Sequence, residues 1–411
     1  MIQVVVTGIG VFSSIGCDRE TFWNSLVSGT SGIKGIRAFD ASRHKSRIAS
    51  EVVPFEPEKF LNFKQVRRMA RVSQLAGCAA FAAVRDAGLD LEREDPHRMG
   101  CVVGSAAGDY YNLEQQYDRF KEKGPGFVNP LAIPKVIPNM PASNVGIALG
   151  IRGPNLGVST ACATGAHAIG IALGILRQGL ADVVLAGGAE SAITPYVVDG
   201  YACMGVLSQR NDDPGTASRP FDADRDGFVI GEGAGVLVLE TLSHARDRRA
   251  DILAVLKGFG MSCDAYNIAI PEPEGTAAAA AMANAVRDAG LNMEEIGHIN
   301  AHGTSTKVND KVEAKAIEKA FGERAKTVPV TSVKSMIGHT LGAAGAIEAA
   351  ATVLTLHRGV IPPTINYHTR DPECDLHIVA NEAREAQVMA AISNSFGFGG
   401  QNGVVVFTRW S

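Results

Sequence analysis

No two cysteines stand at C-x-x-C spacing, and the seven that occur (Cys17, Cys78, Cys101, Cys162, Cys203, Cys263, Cys374) are scattered and odd in number. That pattern speaks against a zinc ribbon or a disulfide framework, so no metal site is expected and a reducing compartment is. Basic excess is missing too. With 39 Lys and Arg against 43 Asp and Glu, the net charge of -4 offers nothing global to neutralise nucleic-acid phosphates. The start MIQVVVTGIG lacks the basic region of a secretion signal and reads as a strand entering a glycine turn, which predicts a cytoplasmic protein. The one uncharged run of 19 residues, VSTACATGAHAIGIALGIL, has the length of a membrane span. Its Ser, Thr, His and Gly content predicts a buried core helix instead, and no membrane partner is expected.

What is present is glycine, 45 residues of it, within 46% hydrophobic and 20% charged residues, a composition that suits a tightly turned α/β protein. Self-similarity is the strongest organisational signal. AVRDAGL occurs at 83–89 and again at 285–291, VVVTGIGV at 4–11 resembles AVLKGFGM at 254–261, and GAHAIGIALGILRQG at 165–179 matches GAIEAAATVLTLHRG at 345–359. The pairs keep one order, at offsets of 250, 202 and 180, so the chain reads as two duplicated halves with extra residues in the first. Apolar strands such as VVLAGG and VVVF, alternating with Ala-rich helices, predict a buried sheet layer covered by helices in each half. The additions, about 12–82 and 109–150, read as surface and interface decoration. TGIGVFSSIG does not have dinucleotide spacing, and its echo KGFGMS assigns the glycine turn to the scaffold.

Cys162 lies in STACATG, just before the buried-helix sequence, where the helix dipole and free N–H groups favour a thiolate. His302 in NAHGTST and His339 in KSMIGHTLGAAGA sit among glycines and small hydroxyl residues, as groups do that need close substrate approach. Lys334 and Glu348 flank the second loop and are candidates to pair and orient its imidazole. NSFGFGGQN is suited to expose backbone N–H groups as an oxyanion site, with an aromatic lid.

Together TACATGAH, NAHGTST, KSMIGHTLGAAGA and NSFGFGG resemble the β-ketoacyl-acyl carrier protein synthases, the elongating condensing enzymes, from Val4 to Phe407. The resemblance implies a thiolase fold, α/β with two halves in an α-β-α-β-α arrangement, divided at 1–250 and 251–411. It implies that Cys162 carries the acyl chain as a thioester, that His302 and His339 stabilise the malonyl enolate, and that Lys334 and Glu348 support His339. Backbone N–H groups of Cys162 and Phe398 match the oxyanion hole, and Phe398 the acyl gate. Thr304, Thr306, Ala107 and Tyr201 are substrate-binding candidates, Ala107 facing an acyl tunnel left open by GSAAGD. No cofactor is implied, because substrates ride on the phosphopantetheine of an acyl carrier protein. That acidic partner would dock on KQVRR, through Lys64, Arg67 and Arg68. The family pairs as homodimers, or as heterodimers with a chain length factor. Two rival readings differ in chemistry: a thiolase-like acyltransferase would need a second cysteine in a C-terminal C-x-G, and a non-catalytic chain-length subunit would lack Cys162. Lys307, Asn309 and Gln401 depart from the fatty-acid pattern and resemble type II polyketide ketosynthase subunits.

Overall fold

The computed structural model describes residues 2–410. Its frame is a ten-stranded mixed sheet built from one plan used twice. The first five strands are β1 (Val4–Phe12), β2 (Met99–Gly104), β3 (Asn155–Leu156), β4 (Val183–Glu190) and β5 (Gly233–Thr241). They lie in the order β3-β2-β4-β5-β1, with β2 parallel to β3 and β4, and β5 antiparallel to β4 and β1. Strands β6 (Ala254–Cys263), β7 (His298–Asn300), β8 (Val330–Thr331), β9 (Ala390–Gly397) and β10 (Gln401–Arg409) repeat this as β8-β7-β9-β10-β6, with the same strand directions. The two sets join where Val4–Val6 of β1 pair with Ala254–Leu256 of β6.

Six helices complete five layers. Helices α1 (Arg71–Asp86) and α2 (Met140–Leu149) cover the outer face of the first set, α1 lying on β1 and β5. Helices α3 (Thr164–Arg177), α4 (Thr276–Asp288), α5 (Lys307–Phe321) and α6 (Ala344–Arg358) follow. Helix α4 packs on β6 and β10 with α5 beside it, whereas α3 and α6 pack on each other and on strands of both sets. This central pair is the buried layer, and every residue of α6 from Ala344 to Leu356 is buried. A helix covered on all sides must be apolar or small all round. The sequence of α3 meets that need, and the 19-residue run is a core helix entered by a turn. Among the described residues no helix is long and apolar enough to cross a membrane.

Two expectations are corrected. The glycines of TGIGV and KGFGM do not form turns; they lie inside β1 and β6. A Cβ on Gly8 or Gly10 would overlap carbonyls of Ala83 and Ala79, and one on Gly258 or Gly260 those of Ala285 and Ala281. The glycines let an alanine-rich helix press onto the strand. Nor are the segments 12–82 and 109–150 all decoration, since α1 has Leu75, Ala76, Ala79 and Ala80 fully buried and α2 has Ala142 and Val145 fully buried.

Candidate active site

A strained turn between β3 and α3 presents Cys162. Ala161 adopts a left-handed φ of 48°, which a residue with a Cβ avoids unless its surroundings enforce it. The Ala163 N–H donates to the Thr160 carbonyl at 3.1 Å and the Thr164 N–H to the Ala161 carbonyl at 3.2 Å, closing the turn into the helix. Cys162 is buried, 8% exposed, at the foot of a cavity. The expected thiolate does not follow from this placement. Desolvation pushes the thiol up to about 11, against the opposing pull of the Lys334 charge and the Phe398 N–H. Loss of water around sulfur therefore outweighs the helix terminus in the free protein.

The second set of strands supplies the imidazoles. His339 follows the short helix Lys334–Ile337 and is pinned by its own N–H to the Val229 carbonyl at 2.7 Å. Its Nε2 lies 3.0 Å from Cys162 Sγ. His302 follows β7, and its ring stands 5.3 Å from that of His339 at 85°, edge toward face. Burial holds both imidazoles well below the ordinary histidine range, aided by the Lys334 charge, so both are neutral.

Lys334 and Glu348 form a fully buried ion pair, as the sequence suggested, but they serve the other histidine. Lys334 Nζ donates to the His302 carbonyl at 2.6 Å and faces His302 Nδ1 at 3.3 Å. An ammonium has no lone pair, so Nδ1 accepts and the His302 proton sits on Nε2. The support of His339 is thus corrected to support of His302, because the side chain of Lys334 reaches the end of β7 and Glu348 on α6, which places its ammonium on His302. Glu313 went unnoticed in the sequence. Its carboxylate accepts the N–H groups of His302 at 2.7 Å and Gly303 at 2.6 Å, and burial pushes it up to about 7. Nothing in KVEAKA marks a glutamate that turns inward from α5.

Phe398 lies in the turn joining β9 to β10, where Gly399 and Gly400 take positive φ. Its N–H points at Cys162 Sγ. Gly397 permits this approach, since a Cβ there would come within 2.8 Å of the Thr160 carbonyl. The cavity, of about 490 Å³, is lined by Cys162, both histidines, Phe398, Tyr201, Thr304 and Thr306. Lys307 and Asn309 also line it, whereas Gln401 is drawn into the β10 ladder opposite Gly397. Ala107 is not part of this lining. The loop Ser105–Asp109 that carries it is tied to Glu190 through the Ser105 hydroxyl and the Ala106 N–H. Lys64, Arg67 and Arg68 lie on a separate exposed helix, Phe63–Arg68, capped by Asn62, with Arg67 stacked over Phe63.

One buried thiol, two neutral imidazoles and an N–H donor thus converge. The family description "Beta-ketoacyl synthase, N-terminal domain" matches residues 1–245, and "Beta-ketoacyl synthase, C-terminal domain" matches residues 253–368. The chain belongs to the beta-ketoacyl synthase family. It is 45% identical over 407 residues to the 3-oxoacyl-[acyl-carrier-protein] synthase 2 of Coxiella burnetii, covering 99% of this chain and 98% of that one. The enzyme of the same name from Staphylococcus aureus strain MRSA252 is 44% identical over 409 residues, covering 100% and 99%. Among solved structures, the ishigamide ketosynthase/chain length factor superposes with a TM-score of 0.94 at 36% identity, covering all of both chains. A type II polyketide synthase acyl-carrier protein in complex with its ketosynthase bound to the hexaketide gives 0.92 at 33% identity, again over all of both chains. The thiolase fold and the condensing-enzyme class expected from the motifs hold, and with them the chain is a β-ketoacyl synthase, an acyltransferase, rather than a non-catalytic subunit.

Proposed function

We propose that this chain condenses an acyl group held on Cys162 with malonyl-acyl carrier protein, releasing carbon dioxide and leaving a β-ketoacyl-acyl carrier protein. The observation that carries the reading is the 3.0 Å approach of His339 Nε2 to Cys162 Sγ inside a cavity that also holds His302. In the first half-reaction sulfur attacks the incoming thioester carbonyl, the carrier thiolate departs with the cysteine proton, and the N–H groups of Cys162 and Phe398 receive the developing oxyanion. In the second, Nε2–H of His302, fixed by Lys334, and His339 donate to the malonyl thioester oxygen. The carboxylate then leaves as carbon dioxide, its electron pair forms the enolate, and the enolate carbon attacks the Cys162 thioester, breaking its C–S bond and expelling the Cys162 thiolate, which takes up a proton to restore the thiol. A neutral imidazole with its proton on Nε2 is sufficient for such donation, and burial keeps both rings neutral. The chemistry calls for neither metal nor resident cofactor.

Thr304 and Thr306, with hydroxyls 3.0 Å apart on the cavity wall, suit the amides of a phosphopantetheine arm. Lys64, Arg67 and Arg68 suit docking of the acidic carrier. A second chain, identical or related, would cover the exposed edge strand β3 and the exposed Tyr111, Tyr117 and Phe120. Seven free cysteines suit the cytoplasm. Fatty-acid elongation is the first reading of the pathway, supported by 44–45% identity to proteins named 3-oxoacyl-[acyl-carrier-protein] synthase 2. A polyketide pathway is the second reading, favoured by Lys307 and Asn309 at the cavity wall. Cys162→Ala should lose both the acyl-enzyme mass adduct and condensation, while malonyl decarboxylation persists because both histidines remain. An acyl adduct on the variant, or undiminished condensation, would refute the assignment.

A further inference from the structure

The duplication carries the site further than the reaction uses it. Gly165 and Gly345 open the matched sequences of α3 and α6, and each lies against the other helix, near Ala346 and Ala166 respectively. At the same offset of 180, Ala161 corresponds to Leu341 and Cys162 to Gly342. The structure agrees, because Leu341 shares the φ of 48° found at Ala161. The second half therefore has its own strained turn, with Gly342 where the first half places the nucleophile.

The neighbouring strands correspond as well. Strands β4 and β9 are each eight residues long, and Glu190 ends β4, opposite Gly233 at the start of β5, as Gly397 ends β9 opposite Gln401 at the start of β10. Beside Cys162 that position is an empty glycine preceding the Phe398 donor. Beside Gly342 it is a fully buried carboxylate. Glu190 Oε2 accepts the Gly342 N–H at 3.1 Å and the Ala106 N–H at 2.8 Å, and Oε1 accepts the Ser105 hydroxyl at 2.8 Å. The second half's counterpart of the oxyanion hole is filled by a side-chain carboxyl group of the protein itself.

We propose that Glu190 is a positioning residue for the condensation, locking the turn His339-Thr340-Leu341-Gly342 against Ser105–Ala106 so that His339 stays in register with Cys162. This rests on the roles given to Cys162 and His339 above. Gly342 directly follows Leu341, which packs with Cys162 in one apolar cluster, and is three residues from His339. Release of Glu190 would free the far end of that turn and leave three donors without a buried acceptor. Misplacing a reacting group by about 1 Å costs on the order of a hundredfold in rate.

Three variants test this in the full-length protein, with malonyl-carrier decarboxylation and Cys162 acylation as readouts. Glu190→Ala removes the acceptor. Gly342→Ala leaves Glu190 in place but puts a methyl 2.5 Å from Ala106 N and 2.6 Å from Glu190 Oε2, breaking the same lock at ordinary backbone angles. Glu190→Gln keeps an oxygen for both N–H groups and turns its amide to the Ser105 hydroxyl, which can accept. Expected are a fall of about a hundredfold in kcat for the two alanine variants with KM unchanged, and recovery of most of it in Glu190→Gln. If Glu190→Ala does not fold, Gly342→Ala and Glu190→Gln decide. Wild-type kcat in Gly342→Ala, a loss in Glu190→Gln equal to that in Gly342→Ala, or an effect on KM alone would overturn the inference. Cys162→Ala run beside them separates the two claims, since its full condensation would remove the proposed reaction itself and leave the behaviour of the Glu190 variants to stand apart.

Discussion

The site's chemistry depends on burying charge without stranding it. Lys334 and Glu348 are both essentially inaccessible, and each is tolerable only because of the other. Lys334→Ala should therefore cost about 3–5 kcal/mol in a denaturant melt, while Lys334→Met with Glu348→Leu should recover most of that. Equal destabilisation by the single and double variants would show that the charge pair is not what matters. The histidines make a second claim. Their native pKa values lie below the unfolded value of 6.5, so below about pH 6.5 the unfolded chain binds more protons and stability falls as the pH drops. Glu190, Glu313 and Glu348, each raised from 4.5 to about 7, act oppositely, their contribution being present below pH 4.5 and lost as the pH rises through 7. His339→Ala leaves those glutamates in place. Its thermal stability should fall less than that of the wild type between pH 7 and pH 5, by up to about 1.4 kcal/mol per pH unit. Parallel pH profiles of Tm would contradict a neutral His339.

At the scale of elements, close approach rather than turn-making explains the strand glycines. Gly10 lies under Ala79 and Gly260 under Ala281, so a methyl at either must push a helix off its sheet. Gly10→Ala and Gly260→Ala should each destabilise the fold by about 1–3 kcal/mol, the usual range for overpacking. Gly174 is the control. It lies inside α3 with open space where a Cβ would go, so Gly174→Ala should stabilise by about 0.8–1.0 kcal/mol through helix propensity alone. Loss of stability there would mean that α3 is packed more tightly than the structure shows.

For the whole molecule, the division of labour follows the two strand sets: the first holds the thiol, the second the imidazoles, and α3 and α6 fix one against the other. The reaction proposed above has an acyl carrier protein bring substrate to a cavity lined by both halves. The helix Phe63–Arg68 is exposed, with Arg67 and Arg68 at its end and Phe63 beneath Arg67. Arg67→Glu with Arg68→Glu should raise KM for carrier-bound substrates severalfold at low ionic strength and flatten its salt dependence, with kcat little changed, since surface charge acts mainly on encounter. Unaltered KM at low salt would place the carrier elsewhere.

The sequence by itself determined the duplication, the α/β class, the buried character of α3 and the identity of Cys162, His302, His339 and Phe398. Each of these leaves a local mark: repeated strings, an apolar run without charges, or reactive residues among glycines at strand and helix ends. What the sequence could not decide was which groups meet. Lys334 is five residues from His339 along the chain, yet its ammonium lies on His302, because a short helix turns the two side chains apart while β7 and β8 run side by side. Glu313 and Glu190 look like any other glutamate in sequence, and only the folding of α5 and β4 turns them inward onto backbone N–H groups. The same holds for the thiol. A position before a helix suggested activation, but protonation depends on how much water the surrounding layers exclude, and that is set by packing between residues as far apart as Cys162 and His339.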